Sequence, residues 1–152
     1  MTARLLLEDG AVFEGESVGA EGAAFGEAVF TTSMSGYQEV ATDPSFEGQI
    51  VCFTAPMVGN YGVAETRDES VRTHAKAVIM REARGPEWTD WLRERGVVAL
   101  TGVDTRSLVL HLREAGAMRA VAATRDVSLD DVREHPGMAG AALVGGVSTN
   151  EP

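Results

Sequence analysis

One cysteine, one lysine and three histidines are all that this chain offers of the side chains that most often carry covalent or metal chemistry. Cys52 has no second cysteine to pair with, so no internal disulfide forms and the chain suits a reducing compartment. Lys76 is the sole lysine against twelve arginines, and acids outnumber bases to a net charge of −10. A chain this acidic repels a polyanion on average, which argues against a nucleic-acid role. Neither a P-loop nor a G-x-G-x-x-G fingerprint occurs, so no nucleotide site announces itself. No apolar run approaches the length that spans a bilayer. The opening "MTARLLLEDG" has one basic residue and a three-residue apolar run, too short to read as a secretory signal. A cytoplasmic protein without a membrane or nucleic-acid partner is expected. Its 152 residues are enough for one domain with a true core.

What is present divides into two halves. "RLLLEDGAVFEGES" reads as two strands joined at Asp9-Gly10, a dipeptide that tolerates the positive φ of a tight turn. A glycine-rich link, "VGAEGAAFGE", leads to a strand, "EAVFTT". Ser35 and Gln38 have capping-box spacing, which predicts a short helix stopping near Thr42, ahead of Asp43-Pro44. "QIVCFTAP" mixes β-branched and aromatic residues without alternation, the pattern of a strand buried on both faces. Met57 to Ser70 reads as a long loop and "HAKAVIMRE" as the next strand.

The second half alternates strand and helix. "GPEWTDWLRERG" is punctuated by Pro86 and Gly96, with Trp88, Trp91 and Leu92 at i, i+3, i+4 on its core face. "VVALTGVD" is a strand, and Asp104 is placed to cap "TRSLVLHLREAG", with Leu108, Leu112 and Ala115 as its apolar stripe. "AMRAVAAT" is a further strand. Ser128 and Asp131 form a capping pair for a last helix stopped by Pro136, and the glycine-rich end reads as an exit linker. An α/β domain is expected, with an N-terminal hairpin-rich β layer and C-terminal strand-helix alternation.

No complete catalytic set can be written from these residues. Cys52 lies among Ile50, Val51 and Phe53, where a cysteine is a small core hydrophobe rather than a nucleophile. His74, His111 and His135 have no partners at metal-ligand spacing and read as structural. A Cys52–His111–Asp104 triad has no local support. Asp104-Thr105-Arg106 suits an anion at a helix N-terminus, but the cap explains Asp104 without a ligand. Gly59-Asn60-Tyr61-Gly62 lets the backbone approach a partner closely and equally suits an ordinary turn. Ser45, after Asp43-Pro44, is poised on a turn, where its hydroxyl either caps that turn or meets a small polar ligand.

In order along the chain, "LEDGAVFEGESVGA", "GEAVFTTSMSGYQEVATDPSFEGQIV", "PMVGNYGV", "VDTRSLVLHLREAGAM" and "VSTNEP" resemble the N-terminal domain of the small, glutamine-hydrolysing subunit of carbamoyl-phosphate synthase. The resemblance runs from about Arg4 to Pro152. It implies a three-layer β/β/α fold of the swivelling kind over residues 1–137, with 138–152 as a linker toward a class I glutamine amidotransferase domain that carries the Cys-His-Glu triad. It implies that this domain holds no catalytic residue and no cofactor of its own, and is inactive alone. Ser45 would line the L-glutamine pocket, and the loop Gly59, Asn60, Tyr61 and Gly62 is a possible interface loop. The partners implied are that glutaminase domain and a large subunit. The large subunit uses ATP with magnesium, bicarbonate and the released ammonia to make carbamoyl phosphate for arginine and pyrimidine synthesis. The rival reading is a stand-alone, non-catalytic binding or scaffold domain that shares the fold.

Overall fold

The computed structural model describes residues 1–32, 37–58 and 74–135. The chain opens with an antiparallel hairpin of β1 (Thr2–Leu7) and β2 (Val12–Ser17), in which Leu6 faces Val12. Gly10 takes φ 96° at the turn, and the Asp9 carboxylate accepts the Ala11 N–H at 3.1 Å. The Asp-Gly dipeptide thus makes the turn expected of it.

β3 (Ala23–Thr31) is longer than expected. Residues Ala23 to Gly26, read from the sequence as link, are strand. Alanine and glycine are poor strand formers by themselves, so pairing supplies what propensity does not. Ala23 to Ala28 run antiparallel to β7 (Met118–Ala123), and Glu27 to Thr31 run parallel to β4 (Gln49–Phe53). Small residues meet across the β3–β7 seam, Ala23 on Ala123 and Ala24 on Ala122. Gly26 is required for space: a Cβ there would lie 2.7 Å from the Gly48 carbonyl oxygen.

β4 pairs in parallel with β5 (Ala77–Ile79), and β5 with β6 (Val98–Thr101). β6 then pairs antiparallel with the end of β2, and β1 with β7. These two seams close the seven strands into a mixed barrel in the order β1-β2-β6-β5-β4-β3-β7.

The four α-helices among the described residues are α1 (Tyr37–Thr42), α2 (Pro86–Glu94), α3 (Thr105–Ala115) and α4 (Leu129–Glu134). α1 ends at Thr42 as expected. The expected Ser35 cap, the Pro136 stop and the tail 138–152 lie outside the described residues. α2 places Trp88, Trp91 and Leu92 on the core, and Gly96 follows its end with φ 74°. In α4 the Ser128–Asp131 capping box is formed in both directions.

Alternation along the parallel strands sorts side chains into two apolar clusters. Ile50, Cys52, Ala77, Ile79, Val98 and Leu100 point to one, with Leu5 and Leu7 of β1. Val51, Phe53, Val78 and Ala99 point to the other, under Val40 and Ala41 of α1 and the α2 tryptophans. These strands are buried on both faces, which is why they show no polar alternation in sequence. Trp88 Nε1–H finds the Met80 sulfur at 3.2 Å. α4 seals a third, smaller cluster through Val132 against Leu6 and Val121.

α3 corrects one detail. Leu108 and Leu112 are buried as expected, but Ala115 is exposed, and Thr105 and Val109 are buried instead. The helix ends at Ala115, and Gly116 turns the chain away with φ 92° before a third turn can reach the core.

Candidate functional site

Residues with chemical potential gather at the two opposite ends of the parallel strands. At the end where β4 begins, Pro44–Phe46 form a 3-10 turn. Asp43 precedes it in extended backbone, and its carboxylate accepts the Ser45 N–H at 2.9 Å. The Phe46 and Glu47 N–H groups each donate to a carbonyl three residues back, at 3.0 Å. Ser45 itself is exposed, and its hydroxyl makes no hydrogen bond among the described residues. So the capping oxygen belongs to Asp43, and the serine side chain is displayed rather than used by the turn.

The turn is held from the side by His74. Its N–H donates to the Ala41 carbonyl at 2.9 Å, its carbonyl accepts from Gly48 at 3.3 Å, and its Nδ1 meets the Glu47 carboxylate. The Glu47–His74 pair spans 27 residues of sequence, so no local spacing betrayed it. His74 is a structural clamp, as its sequence context suggested. Gly59, Asn60, Tyr61 and Gly62, the expected interface loop, lie outside the described residues.

At the other end, where β3, β4 and β5 finish, a cleft of about 600 Å³ opens. Thr32 follows β3, Thr54 and Pro56 follow β4, and Arg81 follows β5 by two residues. α3 forms the opposite wall with Thr105, Arg106, Val109, Leu110 and Arg113. The spacing 106, 109, 110, 113 is one helical face. Sequence reading considered only Arg106. It missed Arg81 and Arg113, which join Arg106 only through the strand order. The available signal was positional: polar residues just past the carboxyl ends of successive parallel strands.

Asp104 sits beside this cleft and is occupied. Its Oδ1 accepts the Ser107 N–H at 3.1 Å and its Oδ2 accepts the Ser107 hydroxyl at 2.9 Å. These bonds, led by the backbone one, hold its carboxyl below the ordinary value, with smaller contributions from the fields of Arg81 and Arg106. The helix-cap reading of Asp104 therefore stands.

The remaining candidates are dispersed. Cys52 is 1% exposed, and burial pushes its thiol up to about 12. His111 Nε2 pairs with the Asp9 carboxylate at 2.7 Å, and its ring meets Phe13 edge-on. His135 stacks on Phe25 at 4.5 Å. Cys52, His111 and Asp104 thus serve three different neighbourhoods and make no triad. Among the described residues, no group of three or more His, Cys, Asp or Glu is placed to hold a metal. No described helix is long and apolar enough to cross a membrane.

Comparison with known proteins adds to this geometry. Residues 5–122 match the family described as carbamoyl-phosphate synthase small chain, CPSase domain. Proteins named carbamoyl phosphate synthase small chain are similar over almost all of this sequence. The one from Xanthomonas axonopodis pv. citri is 45% identical over 157 residues, covering 95% of this chain and 40% of that protein. The one from Nitratidesulfovibrio vulgaris is 44% identical over 164 residues, covering 100% of this chain and 44% of that protein. The one from Streptomyces avermitilis is 45% identical over 163 residues, covering 97% and 42%. The chain therefore spans about two fifths of the length of these relatives.

Proposed function

Because the chain belongs to the carbamoyl-phosphate synthase small-chain family, we propose that it acts as the N-terminal, non-catalytic domain of a glutamine-hydrolysing small subunit. On this reading it docks on the large subunit and closes one side of the glutamine pocket with Ser45. A C-terminal glutaminase domain supplies the triad. The released ammonia passes to the large subunit, which uses ATP and magnesium to make carbamoyl phosphate in the cytoplasm, for arginine and pyrimidine synthesis. The domain alone is inactive.

The observation that carries the non-catalytic reading is the state of Cys52. A thiol pushed up to about 12 by burial presents essentially no thiolate at neutral pH, and the thiolate is the nucleophile. The Ser45 assignment is supported by its displayed hydroxyl on a turn pinned by Asp43 and His74. A hydroxyl held this way can bond the polar end of glutamine across a domain boundary, where two rigid surfaces close on a ligand. The three-layer, swivelling description belongs to the same reading. It is supported by α1 and α2 covering one side of the β4–β5–β6 wall while the larger apolar cluster lies on the other side, with β1 and β7.

The test is ammonia release from glutamine by the purified chain. No release above buffer is expected. Turnover that disappears in Cys52→Ala would contradict the proposal.

A further inference from the structure

We propose that the cleft at the carboxyl ends of the parallel strands is a binding site for a small molecule carrying a phosphoryl-type oxyanion. The proposal stands apart from the Ser45 end: one β-strand of five residues, roughly 16 Å long at about 3.3 Å per residue, separates the two. Failure of either assignment leaves the other intact.

Position and size come first. The cleft lies just past the carboxyl ends of β3, β4 and β5, the parallel part of the closed mixed barrel, with α3 as its opposite wall. A cleft of about 600 Å³ falls within the range of small-molecule pockets.

Charge chooses the ligand class. The chain is acidic overall, and its other described arginines are mostly paired. Arg4 reaches Asp126 at 3.2 Å, Arg84 reaches Glu82 at 2.6 Å, Arg93 reaches Asp90 at 2.7 Å and Arg119 reaches Glu8 at 3.4 Å. Arg81, Arg106 and Arg113 converge on one cleft, and none forms an ion pair among the described residues. Asp104, bonded to Ser107, keeps its charge and offsets part of that of Arg81 and Arg106, which leaves three arginines against one carboxylate. The Arg113 guanidinium lies 5.9 Å from the centroid of the Phe30 ring, and like charges lining one cleft repel each other, a repulsion that an anion in the cleft relieves. The planar guanidinium fork matches the oxygens of a phosphoryl group better than a lysine does.

Thr105 supplies an independent observation. It is 3% exposed, lines the cleft, and its hydroxyl makes no hydrogen bond among the described residues. Among the described residues only Trp91 Nε1 is a buried side-chain polar atom without a partner, so the Thr105 oxygen is reachable and open to a partner from the cleft. A ligand oxygen there would be such a partner. Val109 and Leu110 lie between Arg106 and Arg113, and Leu110 is 50% exposed, so the site offers an apolar wall for an organic body attached to the anion.

The experiment is calorimetric titration of the chain with pyrophosphate at constant ionic strength. Saturable binding is expected. Arg106→Gln and Arg113→Gln are each expected to weaken it about tenfold, and Thr105→Val severalfold, with melting temperatures unchanged. Arg125→Gln, just beyond the β7 end that pairs with the start of β3, is expected to bind as the parent does. No saturable binding at millimolar pyrophosphate would overturn the proposal. So would equal weakening by Arg125→Gln, which marks diffuse attraction, or binding of an acidic peptide without binding of pyrophosphate.

Discussion

The Asp43 carboxylate accepts the Ser45 N–H at 2.9 Å, and this bond separates the jobs of two neighbouring polar residues. Asp43 shapes the turn that feeds β4, while the Ser45 hydroxyl is left facing outward. Removing each side chain therefore has a different consequence for folding. Asp43→Ala is expected to cost about 1 kcal/mol, the usual loss of a side-chain cap. Ser45→Ala is expected to stay within about 0.5 kcal/mol of the parent, as exposed substitutions do. Urea unfolding of the two variants checks this. Equal losses would mean that Ser45 is a structural turn residue after all.

Asp9 and His111 link the first hairpin to α3 across 102 residues of sequence, and the link is pH-sensitive. Burial by itself raises the Asp9 carboxyl, but the Ala11 N–H and then the His111 ring outweigh it, so the net shift is downward from 3.8. A carboxylate held low in the folded state contributes stability that is present above its unfolded value and is lost as pH falls through its folded one. The parent is therefore expected to be more stable than Asp9→Asn at pH 7, with the difference shrinking below about pH 4. Denaturant midpoints of both proteins from pH 7 to pH 2.5 or so measure it. A difference that grows on acidification would reverse the sign and refute the assignment.

Gly26 sits at a tight seam of the barrel wall. A Cβ there would lie 2.7 Å from the Gly48 carbonyl oxygen and 3.2 Å from Ile50 Cγ1. Its conformation needs no glycine; its space does. Gly26→Ala is expected to cost about 1–3 kcal/mol, in the range of overpacking changes. Gly10→Ala meets open space but keeps a φ of 96°, so its loss is one of conformation. Thermal melting compares the two. An unperturbed Gly26→Ala would show that β3 and the Gly48 turn lie further apart than described.

Much of the architecture was legible because local chemistry and tertiary packing agreed. Asp9-Gly10 made its turn, Asp104 and Ser128 capped their helices, and the tryptophans of α2 faced the core. Ala23 to Gly26 was misread because alanine and glycine carry no strand signal; their pairing with Ala120 to Ala123 comes from nearly 100 residues away. Closure of the barrel depends on β2 meeting β6 through two residue pairs, which no local pattern encodes. The same holds for the functional ends. Ser45 was visible as a turn serine, but its freedom depends on Asp43 taking the cap. Arg81 and Arg113 were not visible, since only the strand order brings them to Arg106.

On the proposed function, this domain completes a glutamine pocket whose catalytic residues lie elsewhere. The most direct measurement is the Michaelis constant for glutamine of the complete small subunit assembled with its large subunit, comparing the parent with Ser45→Ala. A severalfold rise is predicted, matching the roughly 0.5–1.5 kcal/mol of one hydrogen bond, with ammonia-dependent synthesis unchanged. An unchanged constant for glutamine would contradict the account.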